Sequence, residues 1–238
     1  MPTSSTSYVD RRERLRVYFD RTAVAAWERI TSDAPVSGIR QTVREGRDRT
    51  RATLLSWLPE DLAGLRLLDA GCGTGALSVE AARRGADVVG IDVAPTLIAL
   101  AEERAPRDLA GSIRFVAGDM LDAEAGAFDA VVAMDSLIHY RPDDMSAAIA
   151  GLRSRVRGGA EGCVLFTFAP RTPALTLMKN VGKLFPRGDR SPAIEPIAEE
   201  RLRALIGANA ALEGCTIGRT TRIDTRFYKS QAMELRVP

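Results

Sequence analysis

The chain has 238 residues, 45% of them hydrophobic and 27% charged, with a formal net charge of +2. That size and balance fit one globular domain with additions and exclude a fibrous or wholly disordered chain. No apolar run approaches the ~20 residues that span a bilayer, and residues 1–10 lack the apolar core of a secretory signal, so a cytoplasmic location is expected.

Cys72, Cys163 and Cys215 are odd in number and show no metal-ligand spacing, which predicts reduced thiols and no metal site. The charge is unevenly spread. Residues 1–51 carry 11 arginines and 7 acids, net +4; residues 52–169 carry 10 arginines and 17 acids, net −7; residues 170–191 carry 5 basic residues and one acid, net +4. A charge run is ordinarily a solvated face. Here the two basic segments are also the two that break the strand–helix rhythm, as lids over a site for an anionic or membrane-associated substrate would.

Residues 1–7 are rich in Ser and Thr and are expected to be disordered. From 8 to 30, Leu15, Tyr18, Phe19, Ala26, Trp27 and Ile30 recur at helical steps. Their aromatic rings are either core or a surface offered to a substrate. Ser32-Asp33-Ala34-Pro35 breaks the pattern, and a second, arginine-rich helix over 39–58 stops at Pro59. Residues 1–58 thus form a helical cover on a domain of residues 59–238.

Strands and helices then alternate. Residues 66–69 read as a strand, followed by Gly71, Gly73 and Gly75 and a helix to residue 84. Glycine is needed where the backbone takes positive φ and a ligand comes close, and the helix behind points free N–H groups at the same place. Gly71, Gly73 and Ala76 formally meet the dinucleotide fingerprint G-x-G-x-x-G/A. The tighter triplet Gly71, Gly73, Gly75 after Asp69 resembles motif I of class I S-adenosylmethionine (SAM) methyltransferases, in which the acid serves the methionine part. The second strand, 87–91, ends in Asp92, near the ~20-residue spacing at which a carboxylate meets the ribose hydroxyls of either cofactor.

Pro95 opens the next helix. The third strand, 113–117, leads to Gly118-Asp119-Met120; in this methyltransferase class Asp119 would take the adenine amine and Met120 would pack on the ring. A fourth strand over 128–134 brings Met134 to the cofactor wall, before Asp135-Ser136-Leu137-Ile138-His139-Tyr140 and a helix over 141–157. The fifth strand is 162–168. Proline-rich residues 170–196 show no period and read as an insertion. A helix over 196–208 and two antiparallel strands near 212–219 and 227–237 complete the pattern. Asp69, the glycines, Asp92 and Asp119 stand at the ends of three successive strands. A dehydrogenase would need a further substrate-bearing segment, so SAM is favoured over NAD. The expected fold is α/β: the Rossmann-like class I SAM-methyltransferase fold, with a seven-stranded, mostly parallel sheet and helices on both faces.

From about residue 16 onward the chain resembles the magnesium-protoporphyrin IX methyltransferases of chlorophyll and bacteriochlorophyll synthesis. The resemblance rests on Tyr18-Phe19 with Trp27-Glu28-Arg29-Ile30, on Val36-Ser37-Gly38-Ile39-Arg40, and on Leu68-Asp69-Ala70-Gly71-Cys72-Gly73-Thr74-Gly75. Met134 to Tyr140 and the insertion with Lys179, Lys183 and Leu184-Phe185-Pro186 extend it. It implies methyl transfer from SAM to one propionate of magnesium-protoporphyrin IX, and the porphyrin-binding subunit of magnesium chelatase as a partner.

The residues agree with that substrate. A metalloporphyrin is a flat apolar plate with two carboxylates on one edge. Phe19, Trp27 and Arg21 on the first helix, and Arg171, Lys179 and Lys183 in the insertion, offer an aromatic slot and a cationic rim. The same basic amphipathic surfaces would also suit peripheral contact with a membrane. His139, the only histidine, is expected to orient the acceptor carboxylate or ligate the magnesium rather than act as a base, with Tyr18 as a second orienting residue. An NAD-dependent oxidoreductase and a non-catalytic SAM- or porphyrin-binding subunit are the alternatives. No base-methylating motif such as Asn-Pro-Pro-aromatic is present, so nucleic acid is not an expected partner.

Overall fold

A computed structural model describes residues 6–22, 38–122, 126–159, 162–172 and 194–238, with the backbone alone at Thr6, Arg21 and Thr22. The strands are β1 Arg66–Ala70, β2 Asp87–Asp92, β3 Ser112–Ala117, β4 Ala130–Ala133, β5 Cys163–Phe168, β6 Thr216–Asp224 and β7 Lys229–Arg236. The helices are α1 Thr6–Val17, α2 Gly38–Leu55, α3 Ala76–Arg83, α4 Pro95–Arg104, α5 Pro142–Arg153 and α6 Glu199–Gly207.

All seven strands form one sheet in the order β3-β2-β1-β4-β5-β7-β6. β1 to β5 run parallel, and β7 lies antiparallel between β5 and β6. The chain steps outward from β1 to β3, then returns to the other side of β1 with β4. The connections from β1 and β4 therefore leave in opposite directions, and the crevice at their carboxyl ends is where open α/β sheets bind ligands.

Alternate strand residues feed two cores. Leu68, Val89, Val131, Val164 and Phe166 pack on one face with Tyr8, Leu15, Ile149, Leu152 and Leu202. Leu67, Val88, Val132 and Leu165 pack on the other with Leu54, Leu55, Leu77 and Ala81. This is the period of 2 that a pleated strand imposes. Because both faces are covered, the central strands are predominantly apolar. Each buried Leu or Phe contributes roughly 1.5–3 kcal/mol. The two N-terminal helices divide between the cores: α1 supplies Tyr8 and Leu15 to one, and α2 supplies Leu54 and Leu55 to the other.

Helix starts follow local chemistry. Pro95 and Pro142 open α4 and α5, where a missing N–H costs no hydrogen bond. Asp143 and Asp144, and Glu199 and Glu200, place negative charge in the first turns of α5 and α6, against the positive end of each helix dipole.

Three expectations are corrected. The helix expected over 8–30 is α-helical only to Val17 and then widens into a π turn, Tyr18–Thr22; residues 23–37 lie outside the described set. Asp20 in that turn accepts the Thr96 N–H at 3.2 Å and so ties it to the start of α4. β4 is shorter than 128–134: the N–H and C=O of Phe128 bond Arg155 and Arg157, leaving it an isolated bridge to Val156. The strand expected over 212–219 begins at Thr216 and continues to Asp224. Leu212 instead closes a short turn in which Asn209 accepts the Ala211 N–H at 3.1 Å. β6 is an edge strand of mostly exposed or half-buried residues, and its polar run Thr220-Thr221-Arg222 gives little apolar alternation to read.

Candidate active site

The carboxyl ends of β1 to β4 open onto a cavity with about 760 Å³ of unfilled space, partly open to solvent. Gly71 and Gly73 line it with φ of 84° and 56°. A Cβ at Gly71 would lie 2.4 Å from that of Ser136, so only glycine lets the ends of β1 and β4 approach this closely. The Gly73 N–H donates to Asp92 Oδ2 at 2.9 Å, and the Ala94 N–H to Asp92 Oδ1 at 2.9 Å. Burial pushes the Asp92 carboxyl up while these backbone donors work against the shift. The result is a carboxylate held by the loop and turned to the cavity.

At the end of β3, Asp119 accepts the Tyr8 hydroxyl at 2.7 Å, the Leu121 N–H at 2.9 Å and Arg12 Nη1 at 2.6 Å. The Tyr8 ring stacks on Tyr140 with centroids 4.8 Å apart. Burial, then the charges of Tyr140 and Asp119, push the Tyr8 phenol well above its ordinary range and keep it a donor. Met120, Met134, Ile91 and Leu97 supply apolar wall. At the end of β4, Asp135 and Ser136 face the cavity beside Arg47 from α2. His139 sits in a single 3₁₀ turn, Leu137–His139, 8% exposed, with its ring 6.0 Å from that of Phe19.

The structure brings Gly71, Gly73, Asp92, Asp119, Met120, Met134, His139 and Phe19 onto one cavity wall. Other expected site residues lie elsewhere. Asp69 is 1% exposed and accepts the Ser78 hydroxyl at 2.7 Å, beneath the glycine loop rather than in the cavity. Burial pushes its carboxyl up to about 7, with the Ser78 bond opposing. Gly75, φ 78°, is the N-cap of α3; a Cβ there would meet Phe115 at 2.6 Å, so its close neighbour is core, not ligand. Tyr18 stands behind the wall, edge-on to Phe19 at 5.2 Å. Arg171 is exposed, its N–H paired with the Ile197 carbonyl at 3.0 Å. Trp27, Lys179, Lys183 and the Arg21 side chain lie outside the described residues. Sequence reasoning missed Tyr8, Arg12, Arg47, Asp135 and Ser136. The i, i+4 spacing of Tyr8 and Arg12 was a usable signal; Arg47 had none among its neighbouring arginines.

Read across the strand ends, the wall presents Asp119 with Met120, then Asp92, then the glycine loop, then Arg47 with Asp135. That succession fits a purine, a ribose, a short linker and a zwitterionic amino acid in turn. The strand order and this row of groups define a class I SAM-dependent methyltransferase. A family model for a methyltransferase domain matches residues 67–159, and one for the magnesium-protoporphyrin IX methyltransferase C-terminus matches residues 133–237. The chain is 46% identical to the magnesium-protoporphyrin O-methyltransferase of Rhodobacter capsulatus over 97% of this chain and 99% of that protein. It is 34% identical to the Synechocystis protein of the same name over 95% of this chain and 96% of that one. The crystal structure of the Synechocystis magnesium protoporphyrin IX methyltransferase with bound S-adenosylhomocysteine (SAH) matches with a TM-score of 0.82 and 32% identity, covering 95% of this chain and 99% of that one. The chain belongs to the magnesium-protoporphyrin O-methyltransferase family.

Proposed function

We propose that the chain transfers a methyl group from SAM to one propionate of magnesium-protoporphyrin IX, giving the monomethyl ester and SAH. The 46% identity with the Rhodobacter capsulatus enzyme along nearly the whole of both chains carries this reading. Bound SAM supplies an electrophilic methyl on a sulfonium. Asp92 would hold the ribose hydroxyls, Asp119 and Met120 the adenine, and Gly71 and Gly73 the space between.

A propionic acid titrates near ~4.3, as Glu does, so the acceptor is already an anion at neutral pH and needs no base. Anion meets cation and both charges vanish, so water, which stabilises the separated charges, must be excluded. The protein's task is that exclusion and alignment of the reacting atoms at ~3–3.5 Å. His139, buried beside Phe19, supports this as a donor that orients the carboxylate; axial ligation of magnesium is its other role to test. Tyr18 would act from behind Phe19. Residues 1–58 and 170–196 are proposed as cover and lid, with Trp27, Arg21, Lys179, Lys183 and Arg171 around the macrocycle. Docking to the porphyrin-binding subunit of magnesium chelatase, and peripheral membrane contact through the basic segments, are proposed with them. Among the described residues no helix is long and apolar enough to cross a membrane.

The test is mass spectrometry of magnesium-protoporphyrin IX incubated with the chain and SAM. The expected product has gained one methylene, with SAH formed in equal amount. Binding of both ligands without turnover would replace this reading with a non-catalytic binding role.

A further inference from the structure

The turn that carries His139 does not hold itself in place. It is a 3₁₀ turn of three residues, Leu137–His139, closed by the Tyr140 N–H on the Leu137 carbonyl at 3.1 Å. So short a turn has poor hydrogen-bond geometry and leaves carbonyls without a partner of its own. The Ile138 carbonyl, next to His139, takes its donor from far along the chain: the Glu195 N–H at 2.8 Å.

Glu195 is itself fixed. Pro196 behind it confines its backbone to extended conformations. One residue further, Ile197 is 2% exposed and pairs with the chain leaving β5. The Ile197 N–H donates to the Ala169 carbonyl at 3.0 Å, and its carbonyl accepts the Arg171 N–H at 3.0 Å. The Glu195 side chain then meets α1, where its Oε1 accepts Arg11 Nη2 at 3.1 Å. The two side chains are only 18% and 16% exposed, so solvent screens this pair less than one on the open surface.

α1 braces the far flank of the same turn as well. Ser7 donates to Asp144 in the first turn of α5, and the Tyr8 ring stacks on Tyr140. Neither Arg11 nor Glu195 is among the described residues that line the cavity. Any effect of the pair on the reaction must therefore pass through the turn that it holds.

We infer that Glu195, pinned by Arg11, is a positioning residue for His139: it fixes the turn that presents the imidazole to the acceptor. This rests on the orienting role proposed for His139 above, and it extends that role to the first helix and to the segment that precedes α6.

The chain holds a single histidine, so its imidazole NMR signal reports His139 alone. Glu195→Ala and Arg11→Met should each shift or broaden that signal in the SAH-bound protein. Each should lower kcat with magnesium-protoporphyrin IX at least about fivefold, since misplacing a reacting group by ~1 Å can cost ~100-fold. SAH affinity by calorimetry should stay within about twofold, because the lost contact is not one with the cofactor. Arg11→Lys, which keeps the charge, should recover most of kcat. In a His139→Ala background, Glu195→Ala should cost less than about twofold more, because the group it positions is gone. Arg16→Ala breaks the exposed Arg16–Glu13 pair at 2.6 Å on the same helix and should change none of these readouts. If Glu195→Ala does not fold, the two Arg11 variants still decide. An imidazole signal unmoved in both variants, kcat undiminished in them while His139→Ala is impaired, or the full Glu195→Ala loss repeated in the His139→Ala background would each overturn the inference. Undiminished kcat in His139→Ala would instead defeat the orienting role itself, and the imidazole signal would still show whether the pair sets the ring.

Discussion

The Tyr8 hydroxyl donates to the Asp119 carboxylate across 2.7 Å, joining the first helix of the chain to the end of the third strand. One turn along, Arg12 bonds the other oxygen of the same carboxylate at 2.6 Å. A carboxylate offers about four acceptor positions. Tyr8, Arg12 and the Leu121 N–H take three, leaving one for an adenine amine. On the proposed reading, the packing of α1 and the binding of the purine therefore share one group.

Asp119→Ala should weaken SAH at least about tenfold through loss of a charged contact, and it should speed amide hydrogen exchange across residues 6–17. Tyr8→Phe should speed that exchange with a smaller effect on SAH. Exchange unchanged in both variants would show that α1 is held by other anchors, such as Leu15 and the Arg11–Glu195 pair at 3.1 Å.

Asp92 accepts the Gly73 N–H and, on the proposed reading, also holds the ribose. Asp92→Ala should cost at least about tenfold in SAH affinity, since each hydrogen bond to a charged group is worth ~1.5–3 kcal/mol. Gly73→Val should abolish binding, because its side chain would enter open space in the cavity from a backbone at φ 56° that valine resists. Calorimetry on both variants checks this; retained affinity would remove the glycine loop from the site.

His139→Gln keeps a donor and should retain far more kcat than His139→Ala. If the acceptor is already ionised, kcat should show no ascending limb near pH ~6.5, where an ordinary imidazole titrates. A clear ascending limb that His139→Gln abolishes would make His139 a general base and defeat the orienting role.

Two buried carboxylates shape stability against pH with opposite signs. Burial alone would raise Glu234, but the Arg219 side chain at 2.6 and 2.9 Å and its N–H at 2.8 Å outweigh that and hold it at about 2. A depressed folded pKa stabilises above the unfolded value of ~4.3 and loses that stability as pH falls toward the folded value. With Arg219 partly exposed, the contribution is on the order of 1–2 kcal/mol. The urea midpoint of Arg219→Met should therefore trail the unaltered chain at pH 7, and the gap should close as pH falls from ~4.5 toward ~2. Asp69, pushed up to about 7, contributes most below its unfolded value of ~3.9 and loses that contribution as pH rises toward 7. Asp69→Asn should thus gain on the unaltered chain between pH 5 and 8. A constant gap in either series would contradict the corresponding assignment.

The amino-acid order alone determined whatever a local rule expresses. Pro95 and Pro142 mark helix starts because proline costs nothing at that position. The glycine turn before α3 is legible because positive φ excludes most side chains. Asp92 and Asp119 announce themselves by standing at strand ends. Asp69 and Gly75 obeyed the same local rules yet point into the protein, because strand pleat and helix packing, not motif membership, decide which way a side chain faces. Arg47, Asp135 and Tyr228 are 88 and 93 residues apart in sequence and meet only once β4 is set beside β1 and the final hairpin folds back on α2. Their partnership depends on burial and on the space left at Gly46, where a Cβ would lie 2.3 Å from the Tyr228 ring. Those are properties of the packed sheet, and no periodicity within one segment carries them.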